Sequence, residues 1–547
     1  MQPEYIFEAS WEVCNRVGGI YTVLSTKAES MQQKHKDKVI FFGPDVWGEK
    51  KCPFMIEDKT LMSDWHSKAV AEGLLLRIGR WNIPGQPIAV LIDFTQFYEQ
   101  KDSIYGHFWQ LYGVDSLHAY GDYDEASIFG YATGVVMESF YRYYNLQKHS
   151  VVAHFNEWMT AFGLLYVKEH MPKVGTLFTT HATSIGRSIA GNGKPLYDYF
   201  RGYNGDQMAR ELNMEAKHSV EKNAAHYADC FTTVSYITDA ECGQLLDKKA
   251  DVATPNGFEP NFVPKGAQLT ALRKRSRNLL RQVTEKLLDY QLNDDALFVC
   301  TSGRYEFKNK GIDVVLQVAK MLNDGLPSPN VPRNDNRQIV FFLAIPAWHC
   351  GPRQDLQRDL LTGKRLLSWN RFTTHELVDY DHDNIMNTLR WYGMKNQQND
   401  RVKIVFIPSY LNGDDGIFNC TYYDLLAGMD MTVFPSYYEP WGYTPLESVA
   451  FHVPTVTTDK SGFGQWATRF CHDVEEGVGV VERTDSNWND MCQHVAYQIE
   501  KVATMDQKTF NAARKNAAAI AEKALWKHFF QYYQEAYDIA LQKASER

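Results

Sequence analysis

Eleven residues, YYEPWGYTPLE from Tyr437 to Glu447, set two carboxylates into a connection that reads as strand, turn and helix. The apolar run MTVF (Met431 to Phe434) before them is expected to be a buried strand. Thr444-Pro445 is expected to open the helix, with Pro445 at its first position and Glu447 at capping-box spacing from Thr444. Glu439 and Glu447 would then flank free backbone N–H groups at a strand's carboxyl end. Open α/β sheets bind ligands there, and a helix's positive end favours a phosphate. On these residues alone, a capped helix and a solvated carboxylate explain the pattern equally well.

Other stretches carry similar chemistry. TSGRYEFKNKG (Thr301 to Gly311) follows an apolar strand and holds Arg304 and Lys310 between two glycines. Two cations at a strand end suit a diphosphate whose charge grows as it departs. TTHATSIGR (Thr179 to Arg187) puts His181 at a strand end and Arg187 beyond it, and AHFNEW (Ala153 to Trp158) does the same for His154 and Glu157. A histidine so placed is more often a structural hydrogen-bonding group. NRVGGIYTV (Asn15 to Val23) has Gly18-Gly19 between strand and helix, where backbone can approach a phosphate or sugar closely, with Arg16 as a fixed charge. A lone GG is weak, because glycine serves many such turns for geometry only.

Positioning these residues requires two sets of strands. In the first half the runs are Tyr5–Ala9, Val39–Gly43, Ile88–Asp93, Val151–His154, Thr176–Thr180 and Phe231–Ser235. After the turn signal TPNGFEPN the pattern restarts at Leu297–Gly303, Ile339–Ile345, Val402–Ile407, Met431–Phe434 and Pro454–Thr458. Near-continuous Val, Ile, Phe and Leu marks parallel strands covered on both faces. The expected fold is α/β, with two Rossmann-like doubly wound domains, 1–258 and 259–523, facing a cleft that closes during turnover. Helical insertions are expected near 263–293 and 347–400, and a C-terminal helix at 524–547 should pack back on the first domain. The 547 residues exceed one ordinary core, and 44% hydrophobic composition excludes disorder. No block of basic residues speaks for nucleic acid, no apolar run reaches bilayer length, and nine scattered cysteines without a C-x-x-C pair suit buried thiols in a reducing compartment. A cytoplasmic location without nucleic-acid or membrane partners is expected.

NRVGGIYTV, THATSIGR, TPNG, GRYEFKNKG and YYEPWGYTPLE followed by SGFG (Ser461 to Gly464) together resemble the glycogen synthases of animals and fungi, the family-3 retaining glycosyltransferases. The resemblance runs through nearly the whole chain in the same order. E-x7-E alone identifies only the two-domain GT-B architecture, shared by many nucleotide-sugar transferases. The resemblance implies transfer of glucose, with retention, from UDP-glucose (ahead of ADP-glucose) to the 4-OH at the non-reducing end of glycogen or a malto-oligosaccharide. It assigns Arg304 and Lys310 to the diphosphate, Glu439 to the transferring glucose, and His181 and Arg187 to the sugar site. Arg16 and Gly19 would close on the donor, and Glu447 would take the ribose hydroxyls. Tyr422 would stack on the base without choosing it, Asn256 would lie at the hinge side of the cleft, and Tyr443 and Thr444 would stand at the donor-facing helix start. No metal or other cofactor is implied, and a homo-oligomer, tetramer or dimer, is expected. The alternative is another GT-B retaining transferase with a different acceptor.

The chain departs from that family in Asp506–Leu525, where Arg514 and Lys515 stand in place of an arginine run that binds glucose 6-phosphate. Adjacent residues point about 100° apart on a helix, so activity is expected not to respond to that effector. The absence of Ser-rich tails and a short 347–400 insertion point to a bacterial or otherwise unregulated member. A glycoside hydrolase would share the paired carboxylates but has no use for Arg304 and Lys310. A glycan-binding scaffold would need neither.

Overall fold

Strands buried on both faces need unbroken apolar runs, and the chain supplies them in two groups. The computed structural model describes residues 2–325, 337–363 and 370–547. They divide into one unit of Met1–Glu259 with Ala524–Arg547 and a second of Pro260–Lys523.

The first unit has nine strands: Tyr5–Ala9 (β1), Val39–Pro44 (β2), Met55–Glu57 (β3), Leu75–Trp81 (β4), Ile88–Asp93 (β5), Val151–Asn156 (β6), Gly175–Thr180 (β7), Cys230–Thr233 (β8) and Val252–Ala253 (β9). They form one sheet in the order β3-β4-β5-β2-β1-β6-β7-β8-β9. The main parallel strands β5-β2-β1-β6-β7-β8 thus stand in the doubly wound order, which reverses between β1 and β6. β3 and β4 run antiparallel at the edge. Apolar periodicity does not mark β4, because Arg77 and Arg80 interrupt it. Their guanidiniums reach Asp45, Glu57 and Asp37, charging an edge that would otherwise invite another strand.

Under this sheet lies a dry ion pair. Lys27, on the helix Gly19–His35, donates to Glu8 of β1 at 2.6 Å, and both side chains are wholly buried. The ammonium also lies 4.2 Å from the ring centre of Tyr533. Tyr533 belongs to the C-terminal helix Trp526–Ser545, whose Trp526 indole donates to Thr26 at 2.8 Å. The aromatic stripe of that helix therefore seats on the first unit through β7, β8 and β9.

The second unit has Leu297–Ser302 (β10), Ile339–Ala344 (β11), His349–Pro352 (β12), His375–Leu377 (β13), Val402–Ile407 (β14), Met431–Phe434 (β15), Thr455–Thr458 (β16) and Val478–Val481 (β17). Its parallel sheet runs β14-β11-β10-β15-β16-β17, again doubly wound, with the reversal between β10 and β15. The insertion near 263–293 is the helix Ala267–Leu288. In 347–400, the polar composition hides an antiparallel pair, β12 with β13, and the helices Gln354–Thr362 and Asn384–Trp391, while 364–369 lie outside the described residues. No helix among the described residues is long and apolar enough to cross a membrane.

The helix Gln507–Lys523 packs on Tyr443–Ala450, and there Arg514 is not isolated. Arg273 and Arg277 approach it from Ala267–Leu288, and Asp430 is 2.8 Å from Arg277 and 3.7 Å from Arg514. Burial, with these neighbouring cations, pushes Arg514 down to about 10. The expected indifference to glucose 6-phosphate rested on two diverging cations, and the fold removes that premise by adding guanidiniums from a distant stretch of sequence.

Removing one partner of the dry pair should be severe. Glu8→Gln leaves Lys27 charged and buried, and is expected to cost about 3–5 kcal/mol in chemical denaturation followed by tryptophan fluorescence. A double change of Lys27 to Met and Glu8 to Leu should recover much of that loss. A single change as mild as a surface substitution would mean that water reaches the pair.

Candidate active site

The candidate loops of Arg16–Gly19, Lys310 and Glu439 follow strands at which the strand order reverses. In the second unit, residues 303–311 leave β10 and residues 435–442 leave its neighbour β15. Gly311 takes φ +72, and a Cβ there would collide with the Pro435 carbonyl, so only glycine lets the loops close on one another. The amides of Tyr437 and Tyr438 donate to the Asn309 carbonyl at 2.9 and 3.3 Å. Arg483 donates to the Pro435 carbonyl, and the Tyr437 hydroxyl donates to Asp485 at 2.6 Å. This stitching brings Lys310 to Glu439, whose Oε2 accepts from Nζ, with the two side chains 16% and 14% exposed.

Glu439 is held from its other side by SGFG. Its carbonyl accepts from Gly462 N at 3.0 Å, and Ser461 Oγ donates to the Trp441 carbonyl at 2.9 Å. Gly442, at φ +104, makes the turn into the next helix, and a side chain there would press on Ser461. That helix is Tyr443–Ala450. It starts before the expected point, so Thr444 and Pro445 are its second and third residues. The capping box does not form, because Gly442 stands at the cap and no side chain caps the helix. Glu447 instead accepts from the Tyr423 hydroxyl at 2.7 Å. The capping box falls at Thr421 and Asp424, on the short helix Tyr422–Leu426. Tyr422, which opens that helix, is half-buried, and its hydroxyl accepts from Ser302 at the end of β10 at 2.7 Å. Arg304 is not drawn into the Lys310–Glu439 pair. Its side chain is 65% exposed and meets Glu306 at 2.9 Å, leaving the guanidinium movable.

The first unit repeats the arrangement. Arg16, Val17, Gly18 and Gly19 follow β1 and are exposed, with Arg16 5.8 Å from the Tyr21 ring centre. A Cβ on Gly19 would touch nothing, so packing does not require glycine there. Glu12 was not singled out in the sequence, yet its Oε2 accepts from the amides of Gly18 and Tyr21, both at 2.8 Å. It takes two of the N–H groups that a phosphate was expected to meet.

His181 follows β7 and is buried, with Nε2 3.0 Å from Asn156 Oδ1 at the end of β6. Burial first, then Lys27 and Arg187, push its pKa down to about 3. At neutral pH it is an uncharged imidazole, and donation to Asn156 leaves Nδ1 as the acceptor. Its amide donates to Glu157 at 2.8 Å. Glu157 has φ +71 and ψ 163, a region open essentially only to glycine, so a buried carboxyl group holds the His181 turn from a strained backbone. Glu221 accepts from Thr180 and Ser184, and Glu241 from Thr183. Arg187 is exposed, and its charge acts on Glu157, Glu221 and His181. Only Glu157 of these acids follows an apolar run, and Glu221 and Glu241 lie on helices where nothing in the sequence distinguishes them. Asn256 is buried in this unit, and its Oδ1 accepts no hydrogen bond from the described residues.

Burial, then the neighbouring Glu221, push Glu157 up to about 8 from an ordinary 4.5. The folded state therefore holds a proton that the unfolded state has released between those values. Stability from this group is complete below about 4.5 and is lost as pH rises toward 8. Glu157→Gln keeps the acceptor for the His181 amide and should flatten the fall in melting temperature between pH 6 and pH 8. An unchanged fall would show that Glu157 is ionised throughout.

The family described as Glycogen synthase matches residues 8–353 and 352–547. Liver glycogen [starch] synthase of Rattus norvegicus is 30% identical over 596 aligned positions, covering 98% of this chain and 83% of the relative. Glycogen [starch] synthase of Caenorhabditis elegans is 28% identical, with 98% and 88% covered. Among solved structures, the catalytic domain of starch synthase IV from Arabidopsis thaliana, bound to ADP and acarbose, superimposes with a TM-score of 0.57 at 14% identity, covering 98% and 99% of the two chains. At that identity it speaks for the fold alone, the GT-B class of two Rossmann-like units. A family match spanning nearly every residue, on a fold that joins Lys310 to Glu439 where a sheet reverses, places this chain in the glycogen synthase family of glycosyltransferases.

Proposed function

We propose that the protein transfers glucose from a nucleotide sugar, UDP-glucose ahead of ADP-glucose, to the 4-OH at the non-reducing end of an α-1,4-glucan, with retention of configuration. The observation that carries this reading is the Lys310–Glu439 pair at the reversal between β10 and β15 in a chain of this family. A nucleoside diphosphate gains negative charge as its bond to the sugar breaks, and cations fixed beforehand stabilise that change most. Lys310 is so fixed, and Arg304 is free enough to swing onto the phosphates. Glu439, released in part from Lys310 by the phosphate, serves the transferring glucose. Tyr422 offers its ring to the base and Glu447 its carboxylate to the ribose, with Tyr443 and Thr444 at the helix start beside them.

For the first unit the proposed roles are donor binding by Arg16 and Gly19 and sugar binding by His181 and Arg187. A neutral His181 suits hydroxyl groups, because it can take part in hydrogen bonds without adding charge. Asn256 keeps its place near the end of that unit's chain segment. We assign neutralisation of the diphosphate to Arg304 and Lys310, so that no metal is required. A cytosolic homo-oligomer is the form proposed.

Glu439→Gln should abolish nearly all nucleotide release from donor plus glycogen while the protein stays folded, a loss of roughly 2.7–4 kcal/mol of transition-state stabilisation. Turnover within about threefold of wild type would remove Glu439 from the chemistry. Arg304→Ala should lower kcat more than it raises the donor KM, and the reverse would make Arg304 a ground-state binder. Activity should survive EDTA, and loss restored by a divalent cation would refute the metal-free reading. Release with UDP-glucose but no incorporation into glycogen would point to a different acceptor.

A further inference from the structure

Two of the nine thiols are in contact, and the function proposed above uses neither. Cys14 ends the turn after β1 with φ +52, and Cys52 lies in the loop before β3. Cys52 Sγ is 3.7 Å from the Cys14 carbonyl oxygen, Cys14 Sγ is 3.7 Å from that of Phe54, and the two side chains hydrogen-bond to one another. The pair is chemically unequal. Cys14 is sealed, and burial pushes its thiol up. Cys52, itself only 1% exposed, lines an open cavity of about 890 Å³, with Lys51, Arg77 and Asn82 among its walls. The hydrogen bond from Cys14 holds the Cys52 thiol below its ordinary range. A more acidic sulfur in a cavity wall, beside a sealed thiol, is the pairing in which the first is oxidised and the second resolves it.

The pair also sits where a small movement would be felt. Cys14 lies two residues after Glu12, which grips the amides of Gly18 and Tyr21, and two before Arg16. A disulfide needs the sulfurs at about 2.05 Å, nearer than any non-bonded contact. Closing it must pull the Cys14 turn toward Cys52.

We propose that Cys14 and Cys52 form a reversible disulfide when the protein meets a hydroperoxide, and that the closed bond displaces the Glu12–Gly19 loop. The Cys52 thiolate attacks the peroxide, the O–O bond breaks, and an S–OH forms as an alcohol or water leaves with the proton. The Cys14 sulfur, giving up its proton, then attacks Cys52, the S–O bond breaks, and water leaves. The two sulfurs together lose two electrons, and the peroxide gains them. The effect on activity rests on the role proposed for Arg16 and Gly19, whereas bond formation does not.

The test treats the purified full-length protein with hydrogen peroxide, maps disulfide-linked peptides by mass spectrometry, and follows amide exchange over residues 11–21. Exposed Cys350 is the comparison thiol. A linked Cys14–Cys52 peptide, faster exchange at Gly18 and Tyr21, and a several-fold fall in donor kcat/KM reversed by dithiothreitol are expected. Cys52→Ser and, separately, Cys14→Ala should keep basal activity and lose the response. Oxidation of Cys350 with no linked peptide overturns the proposal, as does a linked peptide with exchange unchanged, or an equal loss of activity in Cys52→Ser. A linked peptide with altered exchange in a protein that never transfers glucose would instead overturn the function proposed above.

Discussion

Reversal of winding is the constraint on which both units depend. A parallel sheet covered on both faces has no side chain to spare for chemistry along its strands. Polar groups can converge only at the strand ends, and neighbouring connections leave room between them only where the order reverses. The first unit reverses between β1 and β6 and the second between β10 and β15. The Arg16–Gly19 loop and the Asn156–Glu157 corner follow the first pair of strands. The Lys310 and Glu439 loops follow the second. Chemistry that looks scattered along the sequence is collected twice by one rule of topology.

Collecting charge in a dry interior requires that it be matched, and the first unit matches it in layers. Lys27 is paired with Glu8, so its positive charge is both satisfied and felt. That charge, with burial, keeps His154 and His181 from protonating. Neutral imidazoles can then be oriented by neutral partners, Thr179 for His154 and Asn156 for His181. Glu157, Glu221 and Glu241 shape the turn that follows β7 through hydroxyls and amides. The strain at Glu157 is tolerated because its carboxyl group holds the backbone of the residues that the strain positions.

Much of this was legible in sequence because a buried strand writes itself as an apolar run. MTVF is β15 to the residue, and the motifs after the strands lie at both reversals. What the sequence could not show were contacts between distant stretches. The Thr444–Glu447 spacing suits a capping box, but Gly442, with its positive φ, starts the helix earlier and Tyr423 claims Glu447. In sequence Arg514 stands with Lys515 alone, whereas in the fold Arg273 and Arg277 join it from more than two hundred residues away. β4 was invisible because, one strand in from the sheet edge, it carries Arg77 and Arg80 where central strands carry valine. Glu12 escaped notice because its two amide contacts replace a serine or threonine cap and leave no spacing signature.

The Lys310–Glu439 pair shows why a half-buried contact suits this site better than a fully buried one. Lys27 and Glu8 cannot exchange partners, because either would be stranded without water, and such a pair serves only structure. Lys310 and Glu439 keep a little exposure, so under the function proposed above a phosphate would take over part of the ammonium while the carboxylate turned to the sugar. Each holds the other in place until a ligand offers something better, which is how a site stays ordered when empty and still gives up its internal bond on binding. Arg304, exposed and paired among the described residues with Glu306, completes the contrast. One cation is fixed by the fold and one is left to move, as the proposed reaction, in which charge appears on the leaving diphosphate, would require.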